Sequence, residues 1–380
     1  MSNYDYVIVG AGAAGLLLAH TLGNDSFFSE KSILVIDKSD KTENDRTWCF
    51  WEKGSGDFDA LLHKAWKDIY FSGRDFELSS SISPYTYKML RGTDFYQHFV
   101  RKVKAYSNIT WVQDEVVQLN ESKQAVKVTT QRTIFFGKQV FSSWLDMEAV
   151  RKHKHYPLLQ QHFMGWFLKT DKPVFNPSEA TFMDFSVPQK GNTRFMYVLP
   201  FSENEALVEY TLFSEELLEQ SAYEYEIKAY IKQKLKDSDY EILEREHGSI
   251  PMTCYPFHNS NSNRIFHIGI AGGWAKPSTG FTFYNTHKQI GRLVHHLKKN
   301  KPLYRLYKKH KFWFYDLLLL DILYKQNYLG SSIFESLFKK RKPQLILKFL
   351  EEETSVWEDL KIISACPKWP FIAALWNRIF

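Results

Sequence analysis

The sequence predicts an α/β fold: a Rossmann-type dinucleotide-binding domain, an inserted antiparallel sheet and a helical C-terminal region. Three observations predict it. The first forty residues read strand, glycine turn, helix, strand and acid. Four strand-like runs crowd the stretch between 163 and 213. The last eighty residues mix Lys/Arg clusters with aromatic and apolar runs.

Tyr4 to Val9 is a short apolar run, followed by Gly10-Ala-Gly12-Ala-Ala-Gly15, then Leu16-Leu-Leu-Ala-His20, then Ile33-Leu-Val-Ile36 and Asp37. Gly10 allows the tight turn, Gly12 lets backbone approach a pyrophosphate, and Gly15 lets helix and strand pack closely. The helix N-terminus faces the phosphates with free N–H groups and a partial positive charge. Asp37, 22 residues after Gly15, suits a ribose hydroxyl. At the start of a chain of several hundred residues, this fingerprint is more typical of FAD enzymes than of NAD dehydrogenases, by analogy.

A chain of 380 residues can bury a large core and divide into two domains. The net charge of +6 favours anionic headgroups or a phosphorylated cofactor and is too small to argue for nucleic acid. The 16% aromatic content suits a large apolar substrate site, a membrane-facing surface or an aromatic core. Cys49, Cys254 and Cys366 lie far apart with no metal-ligand spacing, so reduced thiols in a cytoplasmic compartment are expected, with no metal. No signal peptide is visible. The longest apolar candidate, Phe312 to Tyr324, is short for a membrane span and carries Asp316 and Asp321. Contact with a membrane would therefore be peripheral.

Four units are expected: 1–160 as the first part of the nucleotide domain, with a strand-rich segment near 70–130; 161–245 as an antiparallel-sheet substrate domain; 246–300 returning to the nucleotide domain; and 301–380 as a helical, basic and aromatic cap. In Asp45-Arg-Thr-Trp-Cys-Phe-Trp51, Arg46 either lies near the cofactor or sits in a loop tucked under an aromatic cluster. Thr93 or Asp94 is expected to cap a helix over Phe95–Ala105. Strands are expected at 109–112, 125–128 and 133–142. Others are expected at 163–168, 180–185, 194–199 and 206–213, the last two joined by a turn at Ser202–Glu205. Ser214 to Asp237 reads as a charged helix with Ser214 as a cap. Arg264–Gly269 reads as a strand leading into Gly269–Gly280, where FAD monooxygenase-type folds touch the cofactor; Ile270 stands in place of their aspartate. Ile290, Leu293, Val294 and Leu297 share one helix face.

The motif order resembles the bacterial lycopene cyclases (lycopene β-cyclases). The matching stretches are Asp45–Trp51, Phe182-Met-Asp184, Tyr197–Phe201, Leu207-Val-Glu-Tyr-Thr211, Arg245-Glu-His-Gly248 with Pro251, Gly269 through Pro277-Ser-Thr-Gly280, and the tail from Phe314 to Phe349-Leu-Glu-Glu-Glu-Thr354. Two positions depart: Ala271 and Lys276 stand where members often carry Arg and His. The resemblance implies an isomerase of carotenoid biosynthesis that converts lycopene to β-carotene through γ-carotene. Reduced FAD would stabilise the carbocation without net redox change, and NADPH or NADH would supply electrons. It assigns the cofactor to Gly10, Gly12, Gly15, Asp37, Arg46, Gly269 and Gly280. It also implies a cytoplasmic enzyme held peripherally on the inner membrane, with contacts to other carotenoid-pathway enzymes.

An alkene is a poor base, so its proton donor must be a carboxylic acid kept protonated by apolar surroundings. Glu209 lies mid-strand and by alternation shares a face with Leu207, Thr211 and Phe213. Its residues alone favour a solvated strand glutamate; the resemblance makes it the acid/base. Asp184 is a second carboxylate expected to assist or orient it. Glu351–Glu353 reads as a solvated acidic face on a C-terminal helix. Two other readings use the same fold: an FAD/NAD(P)H-dependent monooxygenase or prenyl-chain reductase, and a non-enzymatic carotenoid- or lipid-binding protein.

Overall fold

The computed structural model describes residues 3–235, 238–307 and 309–379. Asp237 at the end of the expected 214–237 helix, Lys308 in the basic run and Phe380 in the tail lie outside the described residues. In chain order the elements begin with β1 (Asn3–Val9), α1 (Ala13–Asn24) and β2 (Ile33–Asp37). Next come β3 (Thr47–Lys53), β4 (Lys64–Trp66), β5 (Asp68–Ser72), β6 (Glu77–Ser81), β7 (Tyr85–Arg91) and α2 (Gly92–Ala105). Then follow β8 (Ile109–Gln113), β9 (Val116–Glu121), β10 (Val126–Thr130), β11 (Ile134–Ser142) and α3 (Met147–Lys152). The second half opens with β12 (Leu158–Thr170), β13 (Glu179–Asp184), β14 (Thr193–Pro200), β15 (Glu205–Ser214), α4 (Gln220–Lys234), β16 (Tyr240–Thr253) and β17 (Ile265–His267). It closes with α5 (Phe283–Lys298), α6 (Lys311–Lys325), α7 (Gly330–Lys340), α8 (Pro343–Leu350), α9 (Val356–Ala365) and α10 (Lys368–Ile379).

The nucleotide-domain sheet runs β8-β2-β1-β11-β10-β9, with β17 pairing the end of β11 that β10 leaves free. Its parallel core is buried on both faces, which is why β2 reads as an unbroken apolar run. The expected helix face is present in α5, where Ile290, Leu293 and Val294 are buried in the same core as α1.

A second sheet runs β16-β12-β15-β14-β13-β5-β6. It is antiparallel except where β13 meets β5. Two of its strands come from residues 68–81, and β16 stays in it to Thr253. The return to the nucleotide domain therefore begins after Thr253 rather than at residue 246. The turn at 202–205 is present, with Pro200 facing Ala206. β15 alternates strictly. Leu207 and Phe213 join one core with Tyr197 and Phe182, while Val208, Tyr210 and Leu212 join another with Tyr223, Ile227 and Tyr230 of α4.

Two expected caps are replaced. Ser214 ends β15, and α4 starts at Gln220 behind Glu219 with no side-chain cap. Likewise α2 begins at Gly92 behind Arg91, so Thr93 and Asp94 lie inside its first turn rather than at its cap. In both cases strand pairing, which the local sequence does not display, sets where the helix can start.

A three-stranded sheet, β3-β7-β4, joins the two larger ones. On β3, Trp48 and Phe50 pack with the nucleotide-domain core and Cys49 and Trp51 with the substrate-sheet core. Each buried aromatic removes about 150–250 Å² from water, or about 4–6 kcal/mol at 25 cal/mol/Å². Trp51 and Trp66 thus fix this strand group to one core, while Trp48 and Phe50 pack it against the other.

Close packing at the glycine turn is tested by Gly15→Ala. The added Cβ would lie 1.9 Å from the Gly10 carbonyl oxygen, whereas at Gly12 it would meet nothing within 4 Å. Denaturant unfolding should show a loss of about 1–3 kcal/mol for Gly15→Ala and a smaller change for Gly12→Ala.

Candidate active site

The glycine turn forms the N-terminus of α1. Gly10 has a positive φ of 93°. Gly12 is the N-cap residue and offers no side-chain acceptor to the first N–H groups of the helix. Those donors and the open space in front of Gly12 leave room for a phosphate group. Asp37 is buried beside them: its Oδ2 accepts from the Ala11 N–H (2.5 Å), its Oδ1 from the Ser39 N–H (2.8 Å), and Lys41 Nζ lies 3.2 Å away. The carboxylate therefore braces the turn itself. Gly269, with φ of 63°, lies two residues past β17 against Ala14 of α1. Arg46 is exposed and donates to the Asp45 carbonyl (2.6 Å). It ends the loop before β3, exposed rather than tucked beneath the aromatic cluster.

Gly280 lies at the opposite end, facing Gln161 of β12; a Cβ there would lie 2.2 Å from Gln161 Oε1. Among the described residues, Gln161 Oε1 and Thr279 Oγ1 are buried polar atoms with no hydrogen-bond partner. Such atoms are costly unless something polar meets them. A dinucleotide with phosphates at the α1 terminus and a polar ring system beside Thr279 and Gln161 fits both observations. The residues present thus fit a flavin adenine dinucleotide.

The acid site is a row across four strands. Glu246 of β16 faces Gly165 of β12, Gly165 faces Glu209 of β15, and Glu209 faces Tyr197 of β14. Adjacent strands lie about 4.8 Å apart, so two glutamates with one strand between them reach each other only over a residue without a side chain. At Gly165 a Cβ would come within 3.2 Å of Glu246 Oε1 and 2.8 Å of Leu207 Cδ1. The two carboxyls lie within hydrogen-bonding reach of each other. Thr211 Oγ1 donates to Glu209 Oε1 (2.6 Å), and Thr47 Oγ1 donates to Glu246 Oε2 (2.5 Å).

Burial, and next the Glu246 charge, push the Glu209 carboxyl well above the usual carboxylate range. Burial also raises Glu246, against the Thr47 hydrogen bond. Glu209 keeps some accessible surface although protein encloses its carboxyl, so it faces an interior space. Around it, burial holds the Cys49 thiol and the Tyr87 and Tyr197 phenols neutral. Arg91 is the nearby cation, and it is paired with Glu244.

Asp184 is not part of this row. It pairs with Met196, on the α4 face of the sheet. There it accepts from Tyr230 Oη (2.8 Å) and the Ser186 N–H (2.9 Å) and pairs with Lys234 Nζ (3.3 Å). These contacts anchor α4. Glu351 and Glu352 follow α8 and turn inward, Glu351 pairing with Lys288 (2.7 Å) and Glu352 with Lys276 (3.1 Å), whereas Glu353 stays exposed; the three do not form a solvated helix face. Lys276 also pairs with buried Asp316 (3.0 Å), tying the Lys276–Gly280 loop to α6.

Sequence reasoning missed Glu246. Its signal was a glycine in the middle of the apolar run 163–168 together with the glutamate of Arg245-Glu-His-Gly248, but only strand pairing brings them into line.

An apolar cavity of about 500 Å³ runs from Phe182 and Phe281 to Leu360, Ile372 and Leu375 at the surface. The Phe182 ring meets Tyr197 edge-on at 6.3 Å, and Tyr197 is the cross-strand neighbour of Glu209. Phe182 and Tyr197 thus stand between the cavity's inner end and Glu209.

Solved structures with this fold include a geranylgeranyl bacteriochlorophyll reductase-like protein from Thermoplasma acidophilum (TM-score 0.60, 13% identity, 99% of each chain). A p-nitrophenol 4-monooxygenase from Pseudomonas putida (TM-score 0.62, 13% identity, 100% and 98% covered) and a flavin-dependent brominase (TM-score 0.58, 15% identity, 100% of each chain) also share it. The chain thus has the FAD-binding monooxygenase-like fold. Lycopene beta-cyclase from Paracoccus sp. (strain N81106 / MBIC 01143) is 25% identical over 293 residues, covering 74% of this chain and 70% of that protein. The family described as lycopene cyclase protein matches residues 5–376. Matched over nearly its whole length, the chain belongs to the lycopene cyclase family.

Proposed function

We propose that this protein closes the linear end groups of lycopene into β-rings, through the monocyclic γ-carotene to β-carotene, by acid–base chemistry at Glu209. The observation that carries the reading is a carboxyl enclosed by protein, whose proton affinity burial raises, separated from an apolar cavity by Tyr197 and Phe182. Glu209 gives its proton to C2 of the terminal alkene, leaving a cation at C1. The C5=C6 double bond attacks C1, forming the ring bond and moving the cation to C5. A proton then leaves C6 for the Glu209 carboxylate. Atoms and electrons are conserved, and the acid is regenerated.

FAD, when bound and reduced, supplies negative charge that stabilises a carbocation electrostatically. Gly10, Gly12, Gly15 and the α1 N–H groups would hold its phosphates, with Asp37 bracing the turn, Gly269 beside it, and Gln161, Thr279 and Gly280 meeting the ring system. Arg46, exposed just before β3, would exchange its bond to the Asp45 carbonyl for one to a phosphate. We extend the reading to NADPH or NADH as reductant. A second cavity of about 1000 Å³ supports it, with Ile270 and Gln160 in its wall and the cations Arg151 and Lys154 beside them.

The substrate side supports a peripheral position on the cytoplasmic face of the inner membrane. No helix among the described residues is long and apolar enough to cross a membrane. On α9 and α10, however, Trp357, Trp369 and Trp376 are 77%, 81% and 62% exposed. Lys361 and Lys368 are exposed beside them. Indole rings suit headgroup depth and lysines meet anionic lipid. The apolar cavity opens between these helices, which would let a lipid-dissolved polyene enter without crossing water. The same surface would face any neighbouring carotenoid-pathway enzyme.

Expression in cells that accumulate lycopene should yield a product of unchanged mass with a cyclic chromophore, separable by chromatography. A hydroxylated or saturated product would instead indicate the redox chemistry seen on this fold. Glu209→Gln should lower cyclisation by at least about 10²-fold while the purified protein keeps its flavin. Gly12→Val should lose flavin absorbance and activity together. Trp357→Ser with Trp369→Ser should weaken co-sedimentation with anionic vesicles by about tenfold, the equivalent of about 1.4 kcal/mol. Wild-type binding should also weaken with added salt.

A further inference from the structure

Glu246 has one carboxylate oxygen satisfied and one stranded. Oε2 takes the Thr47 hydroxyl at 2.5 Å. Oε1 is buried with no hydrogen-bond donor among the described residues. It lies over Gly165, where a Cβ would be 3.2 Å from it, and the residue on the far side of Gly165 is Glu209. Thr211 already occupies Glu209 Oε1, leaving Oε2 of Glu209 to meet Glu246. Two ionised carboxylates so placed would repel each other in a dry interior, whereas a single shared proton satisfies the stranded oxygen.

We propose that the proton donor is a carboxyl pair: Glu246 is a positioning residue that accepts a hydrogen bond from protonated Glu209 across the bare backbone of Gly165, with Thr47 holding Glu246 in place. The proposal takes its substrate from the cyclase reading, but the pair stands on strand register and geometry alone.

The asymmetry of the two surroundings says which group carries the proton. Each glutamate receives a threonine hydroxyl, and Glu246 alone lies near a cation, Arg91, which favours its ionised form against burial and the Glu244 charge. Glu209 lies nearer Cys49 and Tyr87 on the overlying strands and Tyr197 on its own sheet, all neutral. Glu244, the remaining carboxylate nearby, is engaged by Arg91 and by Asn44 Nδ2 at 2.6 Å. The charge that changes at this site near neutral pH is therefore that of the pair.

The pairing serves both ends of the reaction. Breaking the Glu209 O–H bond and forming the C2–H bond leaves two adjacent carboxylates. Their repulsion makes Glu209 a strong base, which recovers a proton as the C6–H bond breaks. The pair begins and ends each cycle with the same proton count.

The test is an infrared titration of carboxyl protonation in the purified, flavin-loaded chain, set beside the pH profile of cyclisation. In the wild type a carboxylic acid should persist through pH 7, and two protons should leave in steps more than about one pH unit apart, as coupled groups require. Activity should fall as pH rises through the raised titration of Glu209, because only the protonated form gives its proton. Glu246→Gln removes the charge and donates to Glu209 instead. The Glu209 midpoint and the alkaline limb of the profile should then both move down by about one pH unit or more, with about tenfold less activity on that limb. Gly165→Ala, which wedges the carboxyls apart, should move them the same way. Unchanged midpoint and limb in Glu246→Gln would overturn the proposal. So would a single-step titration in the wild type, which needs no variant to fold. A shifted midpoint in a protein that cyclises no linear carotenoid would support the pair and refute the cyclase reading alone.

Discussion

Charge is expensive away from water. Removing a carboxylate from solvent costs several kcal/mol even after the protein relaxes, so a buried glutamate stays neutral, finds a cation, or shares a proton. This chain uses all three outcomes. Glu209 is held neutral among aromatic residues, Glu352 pairs with Lys276, and Glu246 leans on Thr47 and over Gly165. The carboxyl whose proton affinity burial raises, Glu209, is set apart from the ion-paired Asp316 that lines the apolar cavity.

That arrangement depends on β3. Its alternation sends Trp48 and Phe50 into the nucleotide domain and Thr47, Cys49 and Trp51 toward the substrate sheet. Trp48 stacks on Phe283 at 5.2 Å, while Trp51 meets Phe281 edge-on at 4.7 Å. Thr47 then reaches Glu246 as a consequence of the same register. One short strand therefore sets the distance between the flavin-side loop and the acid row, which explains why aromatic residues crowd into seven positions.

The C-terminal helices close the other side. Lys276, Asp316, Ser278 and Glu352 form a buried network in which Ser278 Oγ donates to Asp316 Oδ1 at 2.6 Å. Burial works against the Lys276 charge, and the two carboxylates more than offset it. Removing either would strand a charge, so the network specifies how α6 and the segment after α8 sit on the flavin-side loop. The apolar cavity is thereby walled by helices whose outer faces remain apolar, a geometry suited to a substrate dissolved in lipid.

Local signals in the sequence determined the nucleotide domain, the antiparallel runs, the α5 face and Glu209 as a carboxyl on an apolar strand face. Each follows from short-range periodicity or from turn residues, which act over a few neighbours. What the sequence could not display is which strands lie side by side. Pairing across β16, β12 and β15 brought Glu246 to Glu209 over Gly165, although 37 positions separate the two glutamates in the chain. Pairing of β13 with β14 put Asp184 on the opposite face, where a match in residue type had placed it beside Glu209. Tertiary packing turned Glu351 and Glu352 inward, because the lysines that neutralise them come from a loop and a helix more than sixty residues earlier. Residue type and alternation determine which side chains can be acids in an apolar place. Register and tertiary packing decide which of them meet, because proximity across strands is a property of the assembled sheet.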